Sequence, residues 1–269
     1  MHLDSPYQIA PGKKFRMSDV KTDDTGQFKD KDEAAAEVKK NLKKLTALQE
    51  LLYAEAKHAV LIVLQAMDTG GKDGAISHVF SGVNPQGCAV TSFKVPTELE
   101  KAHDFLWRIH AAVPRRGMIG SLNRSHYESV LVERVHKLVP EKVWGDRYDQ
   151  INAFEAMLAD EGVTILKFFL HISKDEQKRR LQARLDDREK HWKFSVNDLK
   201  EREFWDDYQE AYEDAVGKCS TKAGPWFVVP ADHKWFRNWV LSDTIVRALR
   251  KLHMEYPEAP KGLDKVVIK

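Results

Sequence analysis

The run Ala59-Val60-Leu61-Ile62-Val63-Leu64 limits the fold more than any other segment of the chain. A strand with one wet face alternates polar and apolar residues, so an unbroken aliphatic run must be covered on both faces, as in a parallel sheet. Further short strands are predicted over 89–93, 118–122, 163–170 and 226–229. Helices are predicted over 98–110, 126–138, 150–161, 174–186, 198–216 and 234–253. Ahead of them, Val38, Leu42, Leu45, Leu48 and Leu52 recur at three- and four-residue spacing, which predicts an amphipathic helix from Asp30 onward. Strands separated by helical segments make an α/β fold with a doubly wound parallel sheet. Residues 1–29 mix Pro, Gly, Lys and Asp without periodicity, and are expected to form an extended arm over the surface or a partner subunit. No internal repeat or low-complexity linker interrupts the 269 residues, which are read as one domain, 1–269.

Charge narrows the function. The 43 basic and 41 acidic side chains leave a formal charge of +2, without the surplus that a non-specific nucleic-acid binder carries. Cys88 and Cys219 stand far apart and outside any CxxC pattern, which excludes a disulfide framework and fits a reducing cytoplasm. The amino terminus lacks the layout of a signal peptide, and no apolar run approaches the ~20 residues that span a bilayer. A cytoplasmic protein with no nucleic-acid or membrane partner is expected. None of the eleven histidines forms an HExxH or similar metal-ligand spacing.

The chemistry is concentrated directly after the aliphatic strand, in Ala66-Met67-Asp68-Thr69-Gly70-Gly71-Lys72-Asp73-Gly74. A predicted helix follows, so strand, glycine-rich loop, lysine and helix stand in the order of a phosphate-binding P-loop. Gly70, Gly71 and Gly74 let backbone N–H groups approach phosphate oxygens, and the helix adds the positive end of its dipole. Lys72 supplies a charge that reaches across two phosphates. Two positions depart from GxxxxGK[ST]: Ala66 replaces the first glycine, and Asp73 replaces the hydroxyl that normally holds Mg²⁺. A carboxylate also binds hard cations, and Asp68 is a second oxygen ligand candidate. A plain glycine turn between strand and helix is the alternative.

Two further clusters suit phosphoryl transfer. Asn123 and Arg124 follow a predicted strand, at the end of the sheet where open α/β proteins bind ligands. Asn123 alone could be a helix cap, and Arg124 a surface residue. Arg180 and Arg184 share a helical face, continued by Arg188, and suit an arginine-bearing lid that neutralises a phosphoryl in transit. A solvated charged helix would read the same way by spacing. The tryptophans at 192, 205, 226, 235 and 239 are expected in helical core packing.

Across nearly the whole chain these residues resemble the polyphosphate kinase 2 family. The resemblance is carried in order by residues 7–15 (YQIAPGKKF), 67–74 (MDTGGKDG), 83–87 (VNPQG), 92–97 (SFKVPT), 104–108 (DFLWR), 123–127 (NRSHY) and 147–152 (RYDQIN). It implies a P-loop kinase-like three-layer α/β/α fold with a helical lid at about 178–196. It also implies Mg²⁺ as cofactor, with Mn²⁺ as a substitute, and assembly into homodimers or homotetramers. The implied substrates are inorganic polyphosphate, threading a basic channel, and adenine nucleotides. By position, Lys72, Arg124 and Arg184 match phosphate-clamping residues, Asp68 helps hold Mg²⁺ and orient the acceptor, and Lys94 looks like a phosphate-channel residue. Gly70, Gly71, Asp73, Gly74 and Arg180 complete the expected phosphate site. Asn123, where the family has Asp or Asn, offers the metal only an amide oxygen. The subgroup acting on both AMP and ADP is the most similar. An ATP-dependent kinase of a nucleoside monophosphate or small metabolite, and a nucleotide-binding module without turnover, are the competing readings.

Overall fold

The computed structural model describes residues 2–263 and 266–268. Met1 of the expected arm, and residues 264, 265 and 269 of the expected single domain, lie outside them.

Helix α1 (Lys31–Glu55) opens at Asp30, whose carboxylate accepts the Asp32 and Glu33 amides. Its buried stripe carries Val38, Leu45 and Leu52. Strand β1 (Ala59–Ala66) follows and is buried at every position. After the glycine loop come α2 (Lys72–Val79), β2 (Cys88–Ser92), and the short helices α3 (Glu98–Lys101) and α4 (Trp107–His110). Then come β3 (Ile119–Asn123), α5 (Val132–Val135), α6 (Glu141–Asp160), β4 (Val163–His171) and α7 (Lys174–Asp186). The chain ends with α8 (Val196–Glu201), α9 (Trp205–Cys219), β5 (Trp226–Pro230) and α10 (Lys234–Arg250).

Among the described residues the five strands form one parallel sheet in the order β2-β3-β1-β4-β5. From β1 the chain moves outward to β2, whereas from β3 it crosses β1 to reach β4. Right-handed crossovers therefore put α2 and α6 on opposite faces. Accordingly α1, α2 and α10 pack together, while α6 packs on β4 and α9. The direction of winding reverses between β1 and β3, and ligands bind open sheets at the carboxyl ends of strands flanking such a reversal.

Four predicted helices differ from those observed. The 98–110 segment is two short helices, because the Asp104 carboxylate accepts the Leu106 amide and turns the chain. The 126–138 segment is a 3-10 turn, His126–Ser129, then α5, with Lys137 left-handed at φ 52°. The 198–216 segment is broken by a 3-10 turn, Arg202–Phe204, between α8 and α9. Helix α6 begins nine residues before the predicted 150, at Glu141 after Pro140.

The amino-terminal arm packs on its own chain. Tyr7, Ile9, Phe15, Met17 and Phe28 are buried, and Tyr7 and Ile9 exchange backbone hydrogen bonds with Val228 and Trp226 of the sheet-edge strand β5. Trp205 and Trp226 are buried, and Trp235 and Trp239 pack against the core. Trp192 departs from the core expectation at 78% exposed, on the 3-10 segment Arg188–Lys193, none of whose residues is buried.

Candidate active site

The loop between β1 and α2 gains its shape locally. Gly70 N–H bonds back to Met67 O at 2.9 Å, and Thr69 and Gly71 are left-handed, at φ 60° and 94°. A Cβ on Gly70 would fall 2.4 Å from Ala66 Cβ and 2.9 Å from Met67 O, so only glycine fits there. Gly71 caps α2, whose first residue is Lys72. Lys72 Nζ donates to Ala66 O at 3.1 Å, folding the side chain back over the loop.

The outer side of the loop is held by long side chains. Gln177 Nε2 donates to Asp68 O at 3.0 Å, Arg180 Nη1 to Thr69 O at 3.1 Å, and Arg237 Nη1 to Gly71 O at 3.1 Å. With these carbonyls taken, the loop can turn its N–H groups to the cavity it borders. Arg180 also donates to Ala231 O at 2.5 Å and pairs with Glu176 at 2.6 Å, which joins α7 to the end of β5.

A neighbouring turn after β3 faces the loop. Asn123 Nδ2 donates to Asp73 Oδ1 at 2.6 Å, leaving its carbonyl oxygen free of that bond. Arg124 is left-handed at φ 61° and pairs with Asp68 at 3.1 Å and Glu128 at 3.3 Å. Burial alone would lower its pKa, but Glu128 and Asp68 outweigh that and raise it. Burial lowers that of Lys72, and Arg124 adds to this against the opposing pull of Asp68, Glu128 and Asp73. A desolvated cation of this kind gains most from an arriving anion.

These residues line a cavity of about 550 Å³ that takes in the loop from Asp68 to Gly74 together with Arg124, Arg180, Arg184, Lys190, Lys193, Lys234 and Arg237. Arg184 reaches it from α7, with its guanidinium held by Lys193 O at 2.9 Å and Asp198 at 3.3 Å. Burial and then Asp68 raise the pKa of Asp198. Burial and then Arg180 depress that of Arg237 to about 10. A second cavity, also about 550 Å³, lies beyond Arg124 and is walled by Phe93, Lys94, Phe105, Arg108, Ser129 and Arg147, among others. Arg108 sits 5.1 Å over Phe93, and Arg147 sits 4.9 Å over Phe105. Arg124 belongs to the walls of both cavities.

A family model described as polyphosphate kinase 2 matches residues 28–257. The chain belongs to the polyphosphate kinase 2 family. An AMP/ADP-polyphosphate phosphotransferase of Meiothermus ruber is 55% identical over 97% of this chain and 98% of its own. An ADP-polyphosphate phosphotransferase of Rhodopseudomonas palustris is 44% identical over 95% of this chain and 96% of its own. The crystal structure of polyphosphate kinase 2 from Arthrobacter aurescens TC1 superposes with a TM-score of 0.94 at 42% identity, covering 98% of this chain and 95% of that one. The P-loop α/β fold expected from the sequence is the fold of this family member.

Of the residues singled out in the sequence, Asp68, Gly70, Gly71, Lys72, Asp73, Gly74, Arg124, Arg180 and Arg184 converge on the first cavity. Asn123 joins them through Asp73. Lys94 stands apart from them, on the second cavity. Sequence reasoning missed Gln177, Asp198, Lys234 and Arg237. Arg237 lies in a helix read only for its apolar spacing, and no motif marks it. The described residues contain no helix long and apolar enough to cross a membrane.

Proposed function

We propose that this chain is a polyphosphate:nucleotide phosphotransferase that passes the terminal phosphoryl group of inorganic polyphosphate to AMP and to ADP, giving ADP and ATP. The observation that carries the reading is Arg124, which belongs to two cavities of similar size, one cationic and glycine-lined, the other walled by aromatic groups and by bases interleaved with the carboxylates of Glu100, Asp104, Glu128 and Glu133. A two-substrate transfer between anions needs such a shared cation, because charge develops on the oxygens between donor and acceptor. The P-loop cavity takes polyphosphate, and the second takes the nucleotide. The names of the Meiothermus ruber and Rhodopseudomonas palustris relatives support the same substrates.

In this reading an oxygen of the nucleotide's terminal phosphate attacks the terminal phosphorus of polyphosphate. A new P–O bond forms as the bridging P–O bond breaks, and the polymer leaves one phosphate shorter. The attacking oxygen is already ionised near neutral pH, so the chain's work is positioning and charge neutralisation. Lys72 and the loop N–H groups hold the donor's end, and Arg124 spans the transferring group. Arg180 and Arg184 close the far wall, with residues 178–196 as the lid of a single catalytic domain. Lys94 contacts phosphate from the second cavity.

Asp68, Asp73 and the Asn123 amide oxygen are the hard donors at the switch point, and they fit Mg²⁺, with Mn²⁺ as a substitute. Among the described residues no group of three or more His, Cys, Asp or Glu side chains could hold a metal alone. Asp68 and Asn123 would hold the ion, and it would supply charge neutralisation to the phosphates. A cytoplasmic homodimer or homotetramer belongs to the same proposal.

The deciding experiment gives purified protein Mg²⁺, long-chain polyphosphate and either AMP or ADP alone, and resolves the products by ion exchange. ADP followed by ATP from AMP is expected. Product from ADP alone would restrict the acceptor, and no product from either would end the proposal.

A further inference from the structure

Beneath the turn that carries Arg124 lies a group of ionisable side chains of which His126 alone lines a cavity, the second, while Tyr127, Glu155 and Lys167 line neither. Glu155 of α6 and Lys167 of β4 are both fully buried and form an ion pair. Lys167 Nζ also donates to Tyr127 Oη at 2.8 Å and to Cys219 O at 2.6 Å. Glu155 Oε1 accepts the Tyr127 hydroxyl at 2.9 Å and lies 3.0 Å from His126 Nε2. Burial would raise the Glu155 pKa, but Lys167 and His126 outweigh it and keep the carboxylate below its usual range.

A buried ion pair is seldom worth more to stability than well-packed apolar side chains of the same volume, and its best-attested use is to select one geometry. The geometry at stake here is a left-handed arginine. That conformation is sterically disfavoured for an L-residue and has to be imposed by its surroundings. Arg124 N–H bonds to Leu64 O at 3.1 Å, which ties the turn to β1. The next residue, Ser125, accepts the Tyr127 amide and Gln65 Nε2, each at 3.2 Å. Gln65 immediately precedes Ala66, where the P-loop begins. His126 and Tyr127 then run into Glu155 and Lys167, so the turn is fixed at both ends.

We infer that Glu155 and Lys167 are positioning residues for phosphoryl transfer: by anchoring His126 and Tyr127 they hold Arg124 between the two cavities. The inference rests on the reading of Arg124 given under the proposed function. It predicts that loosening the anchor disables the arginine without removing it.

The test is a kinetic double-mutant cycle on the full chain, run below the unfolding midpoint of every variant. E155Q/K167M removes both buried charges together, so that neither is left unpaired, and Y127F removes only the bridging hydroxyl. Each is measured alone and combined with R124A, with kcat and the KM for polyphosphate and for ADP as readouts. In the wild-type background E155Q/K167M is expected to lower kcat about 100-fold, the scale of a small misplacement of a catalytic group. KM is expected to stay unchanged. In the R124A background the same substitutions are expected to leave kcat where R124A alone set it. An equal fold-loss in both backgrounds, or no loss in either, would overturn the inference and leave a purely structural network. Wild-type kcat in R124A would instead overturn the reading of Arg124 itself. If E155Q/K167M fails to fold, Y127F decides by the same cycle.

Discussion

The P-loop and the turn after β3 solve the same conformational problem by opposite means. Both bring a left-handed backbone to the switch point, the first at Thr69 and Gly71 and the second at Arg124. In the P-loop the solution is partly local: Gly71 carries no steric penalty and the chain closes on itself through Met67 O and Ala66 O, while Arg180 holds the carbonyl of the left-handed Thr69 from afar. In the second turn a bulky arginine holds the disfavoured conformation, supported by Leu64 and Gln65 and, through the neighbouring Tyr127, by Glu155 and Lys167 from distant parts of the chain. A phosphate cradle built from backbone needs little side-chain volume, whereas a cation aimed between two substrates needs its side chain and its backbone angle together. The first is shaped by neighbours in sequence and steadied by neighbours in space, whereas the second rests mainly on neighbours in space.

This contrast can be broken at its strongest point by removing the charge of Lys72. Lys72→Ala is expected to lower kcat by two to three orders of magnitude, about 3–4 kcal/mol of transition-state stabilisation, with the fold retained by circular dichroism. Near-wild-type turnover would remove the loop from the chemistry. Gly71→Ala tests the local solution. A Cβ there would meet Arg237 Nη1 at 2.4 Å in a backbone at φ 94°, so stability should fall by about 1–2 kcal/mol or more in urea unfolding. Unchanged stability would mean that the loop is less constrained than its dihedrals indicate.

The non-local solution is sharpened by comparing Arg124→Ala with Arg124→Asn. Both should be equally impaired in kcat, but Asn visits the left-handed region more readily and should unfold at the higher temperature, by a difference of about 1 kcal/mol or less. An Ala variant as stable as the Asn variant would deny that the turn is imposed from outside. The smallest effect is in pH. Because the folded Glu155 pKa lies below its usual 4.5, the carboxylate's contribution is fully present above pH 4.5 and is lost as pH falls through the folded value. The stability gap between wild type and E155Q/K167M should therefore shift toward the variant as pH falls below 4.5. A gap that does not move in acid would show that the pair carries no net linkage.

The sequence alone determined the parallel α/β sheet, the position of the P-loop and four of the cations that gather at it, Lys72, Arg124, Arg180 and Arg184. Period and spacing along one segment encode these features, from the aliphatic run of β1 to the glycines around Lys72 and the four-residue step from Arg180 to Arg184. It left the helical segments after residues 98, 126 and 198 too long, because Asp104, Lys137 and the 202–204 turn break them by local hydrogen bonding and backbone angle rather than by composition. Only the tertiary structure decided that Lys94 belongs to a second cavity, that Arg237 grips Gly71 O, and that Arg124 stands between two cavities. Glu155 and Lys167 are twelve residues apart in sequence, on a helix and a strand, and no periodicity pairs them with Tyr127. Those relations depend on which elements the sheet order brings together, and a one-dimensional pattern carries no record of contacts made between separate elements, here across 12 to 166 residues.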